Sequence, residues 1–386
     1  MTFLKEFFKL TKKFFLILIT ISICGWIMVY PEVSSESIKQ GIKCCVNILI
    51  PSLFPFMFMA TFIVQSQILS NPGKLISKLT KFLFYLPECT APVIVLGLLG
   101  GYPVGARGVK TLFDKNKINT EQLNRMMYFC VNAGPGFLVS LVGSLLLRNK
   151  FLGIAILISQ IISAVLIGIF CGIYSRGKNF PLYSINESNT YLETNIADSL
   201  VESTSVVCSS MAEMCVLVIA FTFLNSIINN SGIFDFVFNN IKFLENFKSE
   251  IIATSNALFE VTSGCIKSLN SKFGFMIIAF AVGHGGMCTH MQIASILKNC
   301  NFNFRKFCLF RFLNATISLL SAYAVTQHVY ISSPVFSNVS QPLKASNSST
   351  VHGSLALVLL SLYFIITVNH KYKIIKKNNF TKSLKK

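Results

Sequence analysis

The sequence predicts an all-α polytopic membrane protein of about eight transmembrane helices, with re-entrant or broken helices besides, built as two repeated halves. Three observations point there. Of 386 residues, 53% are hydrophobic and only 13% charged, about half the charge of an ordinary soluble domain. The apolar residues fall in runs suited to crossing a bilayer, and the lysines and arginines gather between the runs and at the two ends. Two of these runs are interrupted by glycine, at GLLGGYPVGARG and at FAVGHGGMCTHM. A helix broken at membrane depth frees N–H and C=O groups that lipid cannot satisfy, so protein or a water-filled cavity has to cover it. Paired broken helices are also a sequence pointer to a transporter's solute site.

Taken in order, residues 1–41 hold a basic start (Lys5, Lys9, Lys12, Lys13) and a first span, Phe14 to Tyr30. No small-residue cleavage site follows, so the segment reads as an anchor with a cytoplasmic N-terminus. Residues 42–175 form the first repeat. Ile42 to Leu69 is a membrane segment interrupted by Pro51 and Pro55, either a kinked span or a re-entrant hairpin. Lys74, Lys78 and Lys81 among apolar residues suggest an interfacial helix. After the first glycine break, Met126 to Leu147 reads as a span with Gly134-Pro135-Gly136 in its middle, and Phe151 to Ser175 as an uncharged one. Residues 176–204 read as a polar linker. The second repeat, 205–330, has a span from Ser205 to Ile228 and an interfacial stretch from Ile233 to Phe247. A short polar segment, Ile251 to Leu269, comes next. The second glycine break lies in Phe273 to Leu297, and Phe307 to Val329 is the span after it. A loop and a last span, Leu355 to Val368, occupy 331–370, and the basic tail 371–386 reads as cytoplasmic.

The two breaks align without a gap when the sequence is displaced by 182 places: Gly101 falls on Gly283, Lys110 on Gln292, Asn132 on Asn314 and Ala133 on Ala315. Each copy runs from an apolar helix into glycine, through a short amphipathic piece and a polar turn, to another apolar stretch ending in Asn-Ala. The loop charges leave open whether the halves are parallel or inverted.

A formal charge of +19 invites a nucleic-acid reading. Its placement at the ends and in short loops fits instead the positive-inside rule and anionic lipid. The lipid bilayer is therefore an expected partner, and nucleic acid is not. The twelve cysteines include no CxxC and no Cys/His spacing for zinc, so no metal or cofactor is expected. GxSxG, HExxH and P-loop signatures are all missing. The chain reads as no enzyme, and as one unable to drive itself with ATP.

GGYPVGARGVKTLFDKNKI, CVNAGPGF, LFEVTSGCIKSL and GHGGMCTHMQ resemble the sporulation integral membrane proteins of the YlbJ type, a group with nucleoside-recognition, or Gate, domains. The resemblance runs from about Lys43 to Ser321. It implies a protein of a spore-forming cell that moves dipicolinate from mother cell toward forespore. The expected location is the cell membrane, as a multi-pass protein, with the outer forespore membrane as the option in a spore-former. It also implies re-entrant hairpins and broken helices around a central site, distantly similar to concentrative nucleoside transporters.

The candidate site follows. Gly100, Gly101, Tyr102, Pro103 and Gly105 present a helix start whose N–H groups favour an anion, or else simply permit close helix packing. Arg107 and Lys110 suit a solute's carboxylates, or else end an ordinary cytoplasmic loop. Glu213 and Glu260 stand in apolar surroundings where an ionisable group is functional by default. Either suits a coupling proton, and Glu213 equally suits pairing with a buried cation such as Arg311. Gly283, His284, Gly285, Gly286, His290 and Gln292 surround the second break, with its imidazoles binding solute or bonding to freed carbonyls. Asn132 and Asn314 satisfy broken backbone or touch ligand. Thr262, Ser263 and Gly264 form the tip of a hairpin.

Three functions are compatible with these residues. One is a secondary transporter for a small anionic or heteroaromatic solute, with H+ or Na+ as a coupling ion and a nucleoside as the alternative cargo. The second is a non-transporting sensor or assembly factor for the spore envelope. The third is a lipid- or wall-precursor enzyme without known motifs. The carrier is preferred, and a homo-oligomer is left open.

Overall fold

The computed structural model describes residues 2–66, 73–178 and 196–328. The expected last span, Leu355 to Val368, the basic tail and most of the linker lie outside them. The described residues are helical throughout apart from turns and short connections. Among them, five helices are long and apolar enough to cross a membrane, or six if one sharply bent pair counts as a span.

The chain opens with α1 (Thr2–Val29) and α2 (Pro31–Cys44). The apolar part of α1, Lys13–Val29, is shorter than those five. A π-helical stretch, Cys45–Leu49, joins α2 to α3 (Ile50–Gln65). The segment expected from Ile42 to Leu69 is thus one continuous run, Pro31–Ile63, and not a hairpin. The wide turn just ahead of Pro51 accommodates the missing proline donor that would otherwise break the helix.

Next come α4 (Gly73–Phe84) and α5 (Ala91–Leu99). Lys78–Phe84 and Glu88–Leu99 are bent 95° to one another. The first glycine break separates α5 from α6 (Tyr102–Asp114). Then α7 (Thr120–Phe129) starts in a capping box, with Asn119 accepting from the Gln122 N–H and Gln122 answering the Asn119 N–H.

Met126 to Leu147 is not one helix. After α7 the chain leaves helical geometry at Cys130 and resumes as a π-helix only at Gly136–Leu146. The reason is packing. The Cys130 carbonyl rests directly on Gly97 and Gly105, where an added Cβ would stand 2.5 Å and 1.8 Å from it. Pro135 follows, with no N–H to donate.

Beyond it α8 (Lys150–Gly177) is the central strut. Its small residues let neighbours approach closely, as in membrane bundles generally: Gly153 meets Gly143, Gly168 meets the Phe84 ring, and Gly172 meets the Leu83 carbonyl. In the second half, α9 (Ile196–Asn230) starts inside the expected linker and packs along α2 and α3. Short helices α10 (Ile233–Asn240) and α11 (Lys242–Glu245) expose Phe236 and Phe243, as the interfacial reading requires.

Ile251 to Leu269 divides into α12 (Lys248–Phe259) and α13 (Val261–Ser268). They form a hairpin, so tight that Gly264 lies on the backbone of Ala257. Finally α14 (Gly274–His284), α15 (Gly286–Ile296) and α16 (Phe304–His328) follow the order of α5, α6 and α7 in the first half.

Two apolar cores result. One gathers α3, α8, α9, α13 and α14 around Leu138, Val207 and Ile278. The other gathers α4 to α8 with α15 and α16 around Leu123, Phe129 and Phe307. Tyr102, beside the first break, packs against both.

Gly105→Ala is expected to lower the thermal midpoint in detergent, by overpacking of about 1–3 kcal/mol or more. Gly25→Ala, where nothing lies within 4 Å, is expected to leave the midpoint unchanged or raise it.

Candidate functional site: two broken helices stitched together

At the first break Gly101 adopts φ of +98°, a region glycine enters freely and other residues resist. It turns the chain out of α5 and into α6, where Pro103 sits in the first turn. At the second break Gly285 and Gly286 have φ of +90° and +69°. The His284 ring accepts the Gly286 N–H at 3.2 Å through Nδ1.

The two breaks are joined by side chains from each half. Tyr102 donates its hydroxyl to the Val282 carbonyl at 2.7 Å. Gln160 of α8 donates to the same carbonyl at 3.3 Å. Asn132 donates to the carbonyls of Gly97 (3.2 Å) and Phe129 (2.6 Å). Its repeat mate Asn314 reaches the Gly283 carbonyl at 3.4 Å and the Asn132 side chain at 3.5 Å. Ser163 of α8 donates to Asn314.

Arg311 completes the stitching. It is fully buried, and pairing with Glu213 was one of the two readings for that acid. Instead its Nε donates to the His284 carbonyl at 3.1 Å, while its two terminal nitrogens donate to the carbonyls of Gly283 and Val131. Its guanidinium carbon lies 5.8 Å from the centre of the Tyr102 ring. Among the described residues no carboxylate forms an ion pair with it.

Glu213 pairs with Arg107, at 3.7 Å. That pair links α6 to α9, and each side chain keeps about a third of its surface exposed. The contact is longer than a hydrogen bond, and the buried Arg107 Nε has no partner among the described residues. Lys110 turns to Asp114 on its own helix, at 2.6 Å. The structure thus does not gather Arg107 and Lys110 at the first break itself. Six residues of helix put Arg107 about 9 Å along the axis from Gly101.

Glu260, 3% exposed, sits at the hairpin tip as the cap of α13. Its two oxygens accept the N–H groups of Thr262 (2.8 Å) and Ser263 (2.6 Å). The anion at this helix start is therefore the chain's own carboxylate. The tip reaches the second break, since a Cβ on Gly286 would stand 3.2 Å from the carbonyls of Ala257 and Phe259. His290 contacts the His284 carbonyl at 3.0 Å. Gln292 is buried on α15 with its amide nitrogen unpartnered among the described residues.

Sequence reasoning did not single out Gln160 and Ser163. Their signal is a polar Ser159, Gln160, Ser163 stripe at helical spacing in an otherwise apolar run. Arg311 was visible, but its partners are carbonyls that no sequence pattern marks.

Fold and site together define a polytopic helical membrane protein with one glycine-broken helix in each half, the two breaks packed against one another. The chain is 21% identical over 383 residues to the sporulation integral membrane protein YlbJ of Bacillus subtilis (strain 168), covering 92% of this chain and 94% of that one. The likeness runs over nearly the whole of both chains, and with its apolar helices it supports a multi-pass integral membrane protein similar to YlbJ. No family model matches the chain, and no solved structure matches it.

Because Glu260 holds two otherwise orphaned N–H groups, Glu260→Ala is expected to cost about 0.5–2 kcal/mol of stability, read as a lowered thermal midpoint. Glu260→Gln, which keeps an acceptor, is expected to lose less. In a double-mutant cycle, Asn132→Ala and Asn314→Ala are expected to be non-additive by about 0.5 kcal/mol or more. Additive midpoints would mean that the two asparagines act separately.

Proposed function

We propose that the chain is a carrier for a small anionic solute, with no enzymatic activity, and that dipicolinate is that solute. The observation that carries the reading is the meeting of two glycine-broken helices at the centre of a membrane bundle, with the tip of a helical hairpin against one of them. Discontinuous helices of this kind, one in each repeat, form the solute site of many secondary transporters.

Arg107 is the group suited to the solute. Its guanidinium is partly exposed, only loosely held by Glu213, and has N–H groups to spare. A carboxylate can take two of them side by side. Dipicolinate, with two carboxylates on a flat ring, fits that fork, and it is the cargo implied by the resemblance to sporulation proteins. On this reading the carrier sits in the outer forespore membrane and moves solute toward the forespore. Tight packing over Gly97 and Gly105 makes the stitched breaks the pivot of the movement, with the solute on the Arg107 side.

The test is flux from liposomes carrying the purified protein, with dipicolinate and, separately, uridine. Saturable dipicolinate release is expected. It should fall roughly 10–100-fold in Arg107→Gln, the equivalent of about 1.5–3 kcal/mol of lost charge-assisted hydrogen bonding. Flux of uridine alone would transfer the reading to nucleosides. With folded protein and no flux of either, the carrier gives way to a sensor or assembly factor.

A further inference from the structure

The C-terminal end of a helix gathers carbonyl oxygens without intrahelical partners and carries the negative end of the helix dipole. In carriers with discontinuous helices, unwound carbonyls and such helix ends hold the coupling cation. Here Gly283 and His284 at the end of α14 and Val131 in the first half's interrupted segment turn their carbonyls to one point. That point is filled by the chain itself. The Arg311 guanidinium donates to all three oxygens, lies near the Tyr102 ring, and would be met at 3.5 Å by a methyl group on Gly285. It is fully buried with no carboxylate paired to it among the described residues. An unpaired buried charge is costly, and the carbonyl dipoles are what offset it. A bare alkali cation would be held by the same oxygens.

We propose that Arg311 is a resident cation standing where a cation-coupled carrier would bind its mobile ion, so that this chain works independently of Na+ and K+. A guanidinium tethered to α16 neutralises the carbonyl cluster at every stage and cannot be drawn down a gradient. It holds the carbonyls of both halves through three separate N–H groups, which a released ion would let go. The proposal rests on the carrier reading for its flux readout only; its binding readout does not depend on transport.

The experiment is thermal unfolding of the purified full chain in detergent, in matched chloride buffers of choline, Na+ or K+. The wild-type midpoint is expected to be the same in all three. Arg311→Ala, which empties the carbonyl cluster, is expected to have a low midpoint in choline and to regain several degrees in Na+ or K+. Arg311→Lys is expected to remain indifferent to the salt. An Arg311→Ala midpoint equally low in all three buffers would overturn the proposal. So would a wild-type midpoint raised by Na+, or wild-type flux that stops when choline replaces Na+. If Arg311→Ala does not fold, the two wild-type readings still decide. Absent flux of any solute counts against the carrier alone, because the midpoints are read without it.

Discussion

The structure depends on satisfying carbonyls that a broken helix leaves open inside a membrane protein. Each buried acceptor left without a donor costs about 1–3 kcal/mol, and the two breaks create several. Arg311 answers three of them at once, one from the first half and two from the second. Tyr102 and Gln160 answer Val282 from the other half and from α8. With those donors in place, an irregular backbone is tolerated at depth because protein, and not lipid, surrounds it.

The two halves share a plan and differ in what closes each break. Helix, glycine break, helix and onward helix recur in the same order, and the repeat mates Asn132 and Asn314 lie within reach of one another. Yet α16 continues unbroken where its counterpart stops at Phe129 and restarts at Gly136. Phe129 stands at the repeat position of Arg311, so one half contributes an aromatic side chain and the other a cation. A continuous α16 is what carries that cation rigidly to the interrupted segment opposite.

Charge at the hairpin and at α6 is handled by opposite means. Glu260 is spent on the start of α13, with both oxygens engaged. Arg107 is only half engaged, by a carboxylate too distant for a hydrogen bond. The first arrangement is closed and structural, and the second leaves donors unengaged. Position in an apolar stretch had made Glu213 and Glu260 look alike; their partners separate them.

Composition, apolar runs and the displaced copy of the glycine break were enough to show a helical membrane protein in two halves, because hydropathy and helix breakers act locally. The span from Phe151 to Ser175 was legible for that reason, and so was that from Phe307 as far as His328, where the described residues end. The hairpin turns at Glu260, just ahead of the expected Thr262 to Gly264, which lie inside α13. The course of Met126 to Leu147 was not. There the non-helical interruption is imposed by Gly97 and Gly105, which lie far away in sequence and admit the Cys130 carbonyl. Nor was the pairing of charges legible, since Arg107 meets Glu213 across two halves and Arg311 pairs with no acid among the described residues. The sequence by itself determined where helices run and where they must break. Only the tertiary structure decided which donors close those breaks, because backbone carbonyls carry no mark in a sequence and are chosen by proximity.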